Sequence, residues 1–357
     1  MKDKIKKLIN KSREIILDSV LDNGAIVAAN PTKNYYPKRA KDYHYVWPRD
    51  AAYICYAAQH IGIKKIQQPF FTWLEDRPED FKKEGKLFAN YSANGPIKIR
   101  QFQPDQAGTV LWMIHDFYKN DHRGAESQEN LIRRLADGLS NDWKERYFFT
   151  NTVDLWEEGN RKTSTQVENN HTYSLAACAR GLICANLMID CKQWKETAEQ
   201  MIKKIDEAYL KNKKTFVRNH GKIDDLNMDA SLLGLVWPFD IIKADDERMI
   251  NTVRQMEEKI VENGGVHRYQ FDYYDGEGSA QEGGGAWPIL NFWMSIYWSI
   301  KGNKTKAKKY YDWVIEKVED DHLIPEQIFS DFRKGIKPLV WSHAMFIIAA
   351  QYLGDLD

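Results

Sequence analysis

The chain has 357 residues, enough for one large domain or two ordinary ones. Its 51 lysines and arginines balance 51 aspartates and glutamates, which excludes a global field that would recruit nucleic acid or an anionic membrane. Four cysteines (Cys55, Cys178, Cys184 and Cys191) are too sparse for a disulfide framework and wrongly spaced for a zinc knuckle, and read as buried thiols in a reducing compartment.

The first segment, about residues 5–21, is an amphipathic helix: Ile5, Leu8, Ile9, Ile15, Ile16 and Val20 form one stripe opposite lysines and acids. Lacking a continuous apolar stretch, it is not expected to act as a signal peptide. No apolar run in the chain is long enough for a bilayer, so a soluble, cytoplasmic protein is expected. Ala51–Ala58 is then apolar or small nearly all round, and a helix without a polar face must be buried on every side. The alternation continues. A weak amphipathic stretch at about 63–75 precedes buried Gly108–Ile114; one at 126–143 precedes buried Leu175–Ile189. Trp194, Ala198, Met201, Ile202, Ile205, Ala208 and Tyr209 form the next one-faced stripe, followed by buried Met228–Val236. A weak stripe at 244–262 precedes buried Ile289–Ile300, and Ala307, Tyr310, Tyr311, Val314, Ile315 and Val318 precede buried Leu339–Ala350. Pro48, Pro104, Pro288 and Pro338 stand where a first helical turn tolerates proline.

Six buried helices therefore alternate with six amphipathic ones. The last buried helix lacks a successor and the N-terminal helix lacks a predecessor, so closing the chain pairs them. The expectation is an all-α (α/α)6 toroid, six inner helices ringed by six outer ones, over residues 1–357 as a single domain. Strand signals are weak and confined to loops, which argues against a βα barrel.

The long connections run from each outer helix to the next inner one, and they carry the unusual residues. They hold Trp47-Pro48-Arg49-Asp50, Phe102-Gln103-Pro104-Asp105-Gln106, Asp154-Leu155-Trp156-Glu157-Glu158, Glu168-Asn169-Asn170-His171, Gly264 to Tyr269, Glu282 to Trp287 and Leu323 to Gln327. In a toroid these loops emerge at one end around one cavity. Acids, amides and aromatics without a metal or phosphate signature suit a neutral polyhydroxylated ligand and no cofactor. The surplus of 12 tryptophans and 18 tyrosines fits such a site, but also a large helical core. Two carboxylates flanking a scissile bond are the usual apparatus of glycoside hydrolysis, and Glu157 and Glu326 come from loops of different inner helices.

Trp47-Pro48-Arg49-Asp50, Asp154 to Glu158, Arg268-Tyr269, Trp287, Pro325-Glu326-Gln327 and Trp341-Ser342 occur in the order seen in glycoside hydrolase family 15, which the chain resembles from about residue 25 onward. The resemblance implies an inverting exo-α-glucosidase that acts on an oligosaccharide or polysaccharide. By motif position Glu157 resembles the general acid and Glu326 the general base. Arg49 and Asp50 resemble ligands of the terminal glucose, and Glu158 and Arg268 those of the next sugar. Trp47, Asp105, Asp154, Trp156 and Trp287 are counted with the walls and supports of the substrate site, and Tyr45 more loosely with the developing charge. Inversion implies carboxyl groups roughly 6.5–9.5 Å apart, leaving room for water. Many prokaryotic members carry a β-sandwich before the toroid, which this sequence is expected to lack.

The blander readings concern the other motif-like residues. His44, His171 and His343 lack metal-ligand spacing and read as packing or supporting hydrogen bonds. Gly276, Gly278 and Gly283–Gly285 mix with Glu277 and Glu282 and follow no strand, so they suit an active-site loop better than a phosphate loop. Three alternatives stand beside the glucosidase reading: an α,α-trehalase on the same site, a non-catalytic glycan-binding module, and a phosphorolytic enzyme, for which no basic phosphate pocket is evident.

Overall fold

The structure is a computed structural model and describes residues 1–77, 80–158, 165–272, 284–330 and 335–356. In chain order its helices are α1 (Lys2–Asp18), α2 (Pro48–His60), α3 (Gln67–Glu75), α4 (Asp80–Glu84), α5 (Pro104–Tyr118), α6 (His122–Glu126), α7 (Glu129–Asp142), α8 (Thr172–Met188) and α9 (Lys192–Glu207). A 3-10 helix at Ala230–Leu235 follows, then α10 (Glu247–Lys259), α11 (Pro288–Ile300), α12 (Lys304–Lys317) and α13 (Val340–Leu353). Among the described residues, no helix is long and apolar enough to cross a membrane.

The inner elements close a ring. α2 packs on α5, α5 on α8, α8 on the 3-10 helix, that helix on α11, α11 on α13, and α13 back on α2. α3, α7, α9, α10, α12 and α1 are the outer members, and α1 lies against α13 and α2, where the ring closes. This is the (α/α)6 toroid expected from the alternation of burial. α13 is buried from Val340 through Ala350, whereas α9 buries only Trp194, Thr197, Ala198, Met201 and Ile205. Pro48, Pro104 and Pro288 open α2, α5 and α11, where a missing N–H costs nothing. Pro338 differs, for it lies outside α13, whose N-cap is Leu339.

The fourth inner member departs from expectation. Met228–Val236 is not a full α-helix but six residues of 3-10 helix. Asp229 caps its start by accepting from Ser231 N, and Pro238 lies three residues beyond its end. Proline has no N–H to donate and disfavours helical geometry in the residue before it, which prevents extension. Gly234 lets the Tyr173 ring press against this turn.

α5 and α8 meet at glycines. A Cβ on Gly181 would lie 2.6 Å from Gly108 Cα, and one on Gly108 would collide with the Ala177 carbonyl. Gly108→Ala is therefore expected to push the inner helices apart and cost about 1–3 kcal/mol. A lowered midpoint in equilibrium urea unfolding is the readout; an unchanged midpoint would contradict backbone contact there.

The ring closure is pinned by buried His343. Its Nε2 accepts the N–H of Ile324 (2.9 Å), so Nδ1 carries the proton and donates to Ser12 Oγ on α1 (2.8 Å). Burial drives its pKa down to about 3 from the ordinary 6.5. The folded state thus refuses a proton that the unfolded chain accepts, so this contribution is intact above about pH 6.5 and is lost as pH falls towards 3. Asp50, whose carboxyl is raised to about 7, titrates with the opposite sign, so comparison with His343→Gln isolates the imidazole. The advantage of the parent protein over that variant should shrink on acidification by up to about 1.4 kcal/mol per pH unit. A pH-independent difference would refute the neutral assignment.

Candidate active site

Short strands and loops at one end of the ring supply the candidate side chains. β1 (Tyr45–Val46), β2 (Phe88–Ser92) and β3 (Ile97–Phe102) form a small antiparallel sheet in that order, leading into α2 and α5. A cavity of about 300 Å³ lies at this end, at the lower limit of typical ligand sites. Its walls include Tyr43, Trp47, Arg49, Asp50, Trp156, Glu157, Arg268, Trp287, Glu326 and Trp341. A second depression shares Tyr43, Trp156, Glu157, Arg268, Trp287 and Glu326 and adds Ile99, Gln101 and Gln327. Glu157 and Glu326 thus line both compartments.

Glu157 is presented by a tight turn with its own φ at 63°, a left-handed conformation that L-residues rarely adopt. Its N–H donates to the Asp154 carbonyl (3.1 Å), and Asp154 Oδ1 accepts the N–H of Trp156 (3.0 Å) and of Glu158 (3.2 Å). The Trp47 indole N–H donates to Glu157 Oε1 at 2.6 Å, while Arg49 Nη2 stands 4.0 Å away. The side chain is 23% exposed and lines the cavity. Burial raises its pKa above the usual carboxylate value and Asp105 adds to this; Arg49 and the Trp47 bond oppose the rise.

Arg49 anchors the deep end. Its Nη1 donates to Asp105 Oδ2 (3.0 Å) and Gln103 Oε1 (3.2 Å), its Nε lies 3.4 Å from Asp50 Oδ1, and its backbone N–H donates to Gln106 Oε1 (2.6 Å). The acids around it, Asp105 foremost, hold the guanidinium charged despite burial. Desolvation dominates at Asp50 and lifts its carboxyl to about 7 against the pull of Arg49; Asp105 is raised for the same reason. Trp341, which lines the cavity, stacks on fully buried Tyr53 at 5.3 Å between ring centres. Among the described residues, Asp50 Oδ1, Trp287 Nε1 and Trp341 Nε1 are buried without a hydrogen-bond partner. In walls of a cavity, such groups suit the hydroxyls of a ligand.

Glu326 is held by a clamp. Its N–H donates to the Ile336 carbonyl (2.8 Å), Ser342 Oγ donates to Pro325 O (2.9 Å), and Leu339 N donates to Ile324 O (3.0 Å). Tyr43 OH donates to Glu326 Oε1 at 2.9 Å. Tyr43 was not singled out in the sequence; Tyr45 was. Tyr45 is not among the lining residues, because pairing with Ser92 draws it to the small sheet, where the Lys98 ammonium sits 5.2 Å from its ring centre.

Arg268 lines the cavity, its Nε and Nη2 donating to the two Asp272 oxygens at 2.6 and 2.8 Å and its guanidinium 4.9 Å from the Trp287 ring centre. Asp105, Asp154 and Glu158 are buried and stand behind the walls rather than among the lining residues. Asp154 and Glu158 meet Arg218, at 2.8 and 3.4 Å. Arg218 and Asp229 carried no motif; their one trace in the sequence is an acid-rich loop that needs a buried cation. Of the histidines, His44 Nδ1 contacts the Ala29 carbonyl (3.2 Å), His171 is buried at the start of α8, and His343 has its structural bonds. Gly276, Glu277, Gly278, Glu282 and Gly283 lie outside the described residues; Gly285 N donates to Gln327 Oε1.

The toroid thus carries, at its loop end, one cavity lined by acids and aromatic rings. A glycosidase variant solved in complex with glucose superposes at TM-score 0.80, covering 100% of this chain and 98% of that one at 22% identity. A bacterial glucoamylase complexed with acarbose matches at 0.75, covering 97% of this chain and 55% of that one at 20% identity. The chain belongs to glycosyl hydrolases family 15, whose family model matches residues 81–302. An uncharacterized glycosyl hydrolase of Methanocaldococcus jannaschii is 31% identical over 91% of this chain and 52% of its own length. An isomaltose glucohydrolase of Kribbella flavida is 23% identical, covering 94% and 90%, and a trehalase of Thermoplasma acidophilum 25% identical, covering 89% and 57%. The chain thus spans about half the length of the Methanocaldococcus and Thermoplasma relatives.

Proposed function

We propose that this toroid is a single catalytic domain of an exo-acting, inverting α-glucosidase, which releases β-glucose from the non-reducing ends of α-glucans or short α-gluco-oligosaccharides. The observation that carries the reading is the placement of Glu157, with its raised pKa, and Glu326 on one cavity. A wall of Trp341 backed by fully buried Tyr53 suits a chain end rather than a chain interior. Neutral Glu157 protonates the glycosidic oxygen while Glu326 takes a proton from a water that attacks the opposite face of the ring. Asp50, Arg49 and the free indole N–H groups of Trp287 and Trp341 bind hydroxyls of the terminal glucose, and Arg268 the sugar beyond it. The buried free thiols Cys55, Cys178 and Cys184 fit a reducing, cytoplasmic setting.

An α,α-trehalase on the same residues is equally supported, since trehalases are among the relatives. An NMR time course with isomaltose, maltose, maltotriose and trehalose separates the readings. First-formed β-glucose from an α-1,4 or α-1,6 substrate, with trehalose inert, is the expected result. Turnover of trehalose alone would select the second reading. α-Glucose released first from the non-reducing end of maltotriose would overturn inversion, and binding without turnover of any substrate would point to a glycan-binding module.

A further inference from the structure

Behind the cavity wall lies a buried charge cluster that the proposed chemistry leaves unused. Arg218, 5% exposed, enters it from the segment after the strand Thr215–Phe216. Its Nη2 donates to Asp154 Oδ2 (2.8 Å) and Glu158 Oε2 (3.4 Å), and its Nε is 2.9 Å from Asp229 Oδ2 and 3.9 Å from Asp225 Oδ2. The guanidinium also covers the Tyr269 ring at 4.2 Å from its centre.

Two of these acids reach on to the turn that bears Glu157. Asp154 Oδ1 accepts the backbone N–H groups of Trp156 and Glu158, the residues on either side of Glu157. Asp229 Oδ2 accepts the indole N–H of Trp156 at 3.1 Å, and Asp229 Oδ1 is itself fixed by Ser231 N at 2.7 Å. One cation therefore braces both neighbours of Glu157: through Asp154 on their backbone, and through Asp229 on the Trp156 indole. The turn needs bracing, because the left-handed backbone at Glu157 (φ 63°) is costly for a non-glycine residue and persists only where the surroundings hold it. A planar fork that serves different acids from Nε and Nη2 is a task for arginine, which lysine's single ammonium cannot reproduce.

We propose that Arg218 is the positioning residue of the proton-donating step: by bracing Asp154 and Asp229 it holds the Glu157 carboxyl against the leaving-group oxygen, without touching substrate itself. This rests on the reading of Glu157 as the general acid.

The test compares two substrates, the disaccharide cleaved fastest by the parent enzyme and α-glucosyl fluoride. Fluoride departs as an anion, its C–F bond breaking as water adds, and needs no proton from an acid; the disaccharide's alkoxide does. For Arg218→Lys, kcat on the disaccharide should fall about tenfold to a hundredfold, the penalty of a small misplacement, with KM and the fluoride rate near those of the parent. In a Glu157→Gln background, Arg218→Lys should remove little further disaccharide activity. Equal losses on both substrates, or a full additional loss in that background, would overturn the proposal. Asp229→Asn, which keeps Arg218 and shortens no side chain, should show the same selectivity and stands in if Arg218→Lys does not fold. If Glu157→Gln itself loses both substrates equally, the acid assignment falls and this proposal with it. If Glu157→Gln is selective but the Arg218 and Asp229 variants are not, only this proposal falls.

Discussion

Glu157→Gln is expected to lower kcat on a disaccharide by about 10²–10⁴, the usual worth of a positioned acid. The amide keeps the shape of the carboxyl and can still meet the Trp47 indole, but has no proton to give. Hydrolysis of α-glucosyl fluoride should survive, since its leaving group needs none. The parent enzyme should lose activity as pH rises through the elevated pKa of Glu157, because the working form is the protonated one. That alkaline limb should vanish in Glu157→Gln. Glu326→Gln should behave differently and lose both substrates by a similar factor, because every substrate needs an activated water. Tyr43 OH donates to Glu326 Oε1, a contact that on the proposed mechanism orients the base. Identical substrate profiles for the two variants would refute the division of roles.

Arg49→Met is expected to be the most damaging change to stability near the site, at about 3–5 kcal/mol. Arg49 is 3% exposed and stands between Asp50 and Asp105, the latter fully buried. Removing the cation strips Asp105 of its ion pair and leaves Asp50 with no positive partner at 3.4 Å, so both must take up protons or unfold the wall around them. Equilibrium urea unfolding measures the loss. Adding Asp105→Asn to Arg49→Met should recover part of it, because the isolated buried charge is the larger penalty. A single variant within about 1 kcal/mol of the parent would contradict the buried-pair argument.

Much of the architecture could be read from residue patterns. Segments such as Leu339–Ala350 have no polar face and must sit inside, while those such as Trp194–Tyr209 have one and must sit outside. Strict alternation of the two kinds leaves few arrangements besides a closed double ring. The 3-10 helix at Ala230–Leu235 was illegible, because an apolar run does not reveal its own helical pitch; Pro238 and the Asp229 cap decide that locally. The loop motifs led to one end of the ring, where Arg49, Asp50, Glu157, Arg268, Trp287 and Glu326 share a cavity. Tyr43 and Tyr45 are chemically alike and two residues apart, so only strand pairing separates the one at the wall from the one at the sheet.

The sequence by itself determined the ring, the end at which its motifs collect and the family, since burial periodicity and motif order are local properties of the chain. Only the tertiary structure decided which charges meet. Asp154, Glu158 and Asp229 find a counter-charge in Arg218, up to 64 residues away in sequence, and Glu326 finds a hydrogen-bond donor 283 residues away in Tyr43. Such partners are chosen by proximity in a low-dielectric interior, which acts over a few ångströms in space and leaves no spacing rule along the chain.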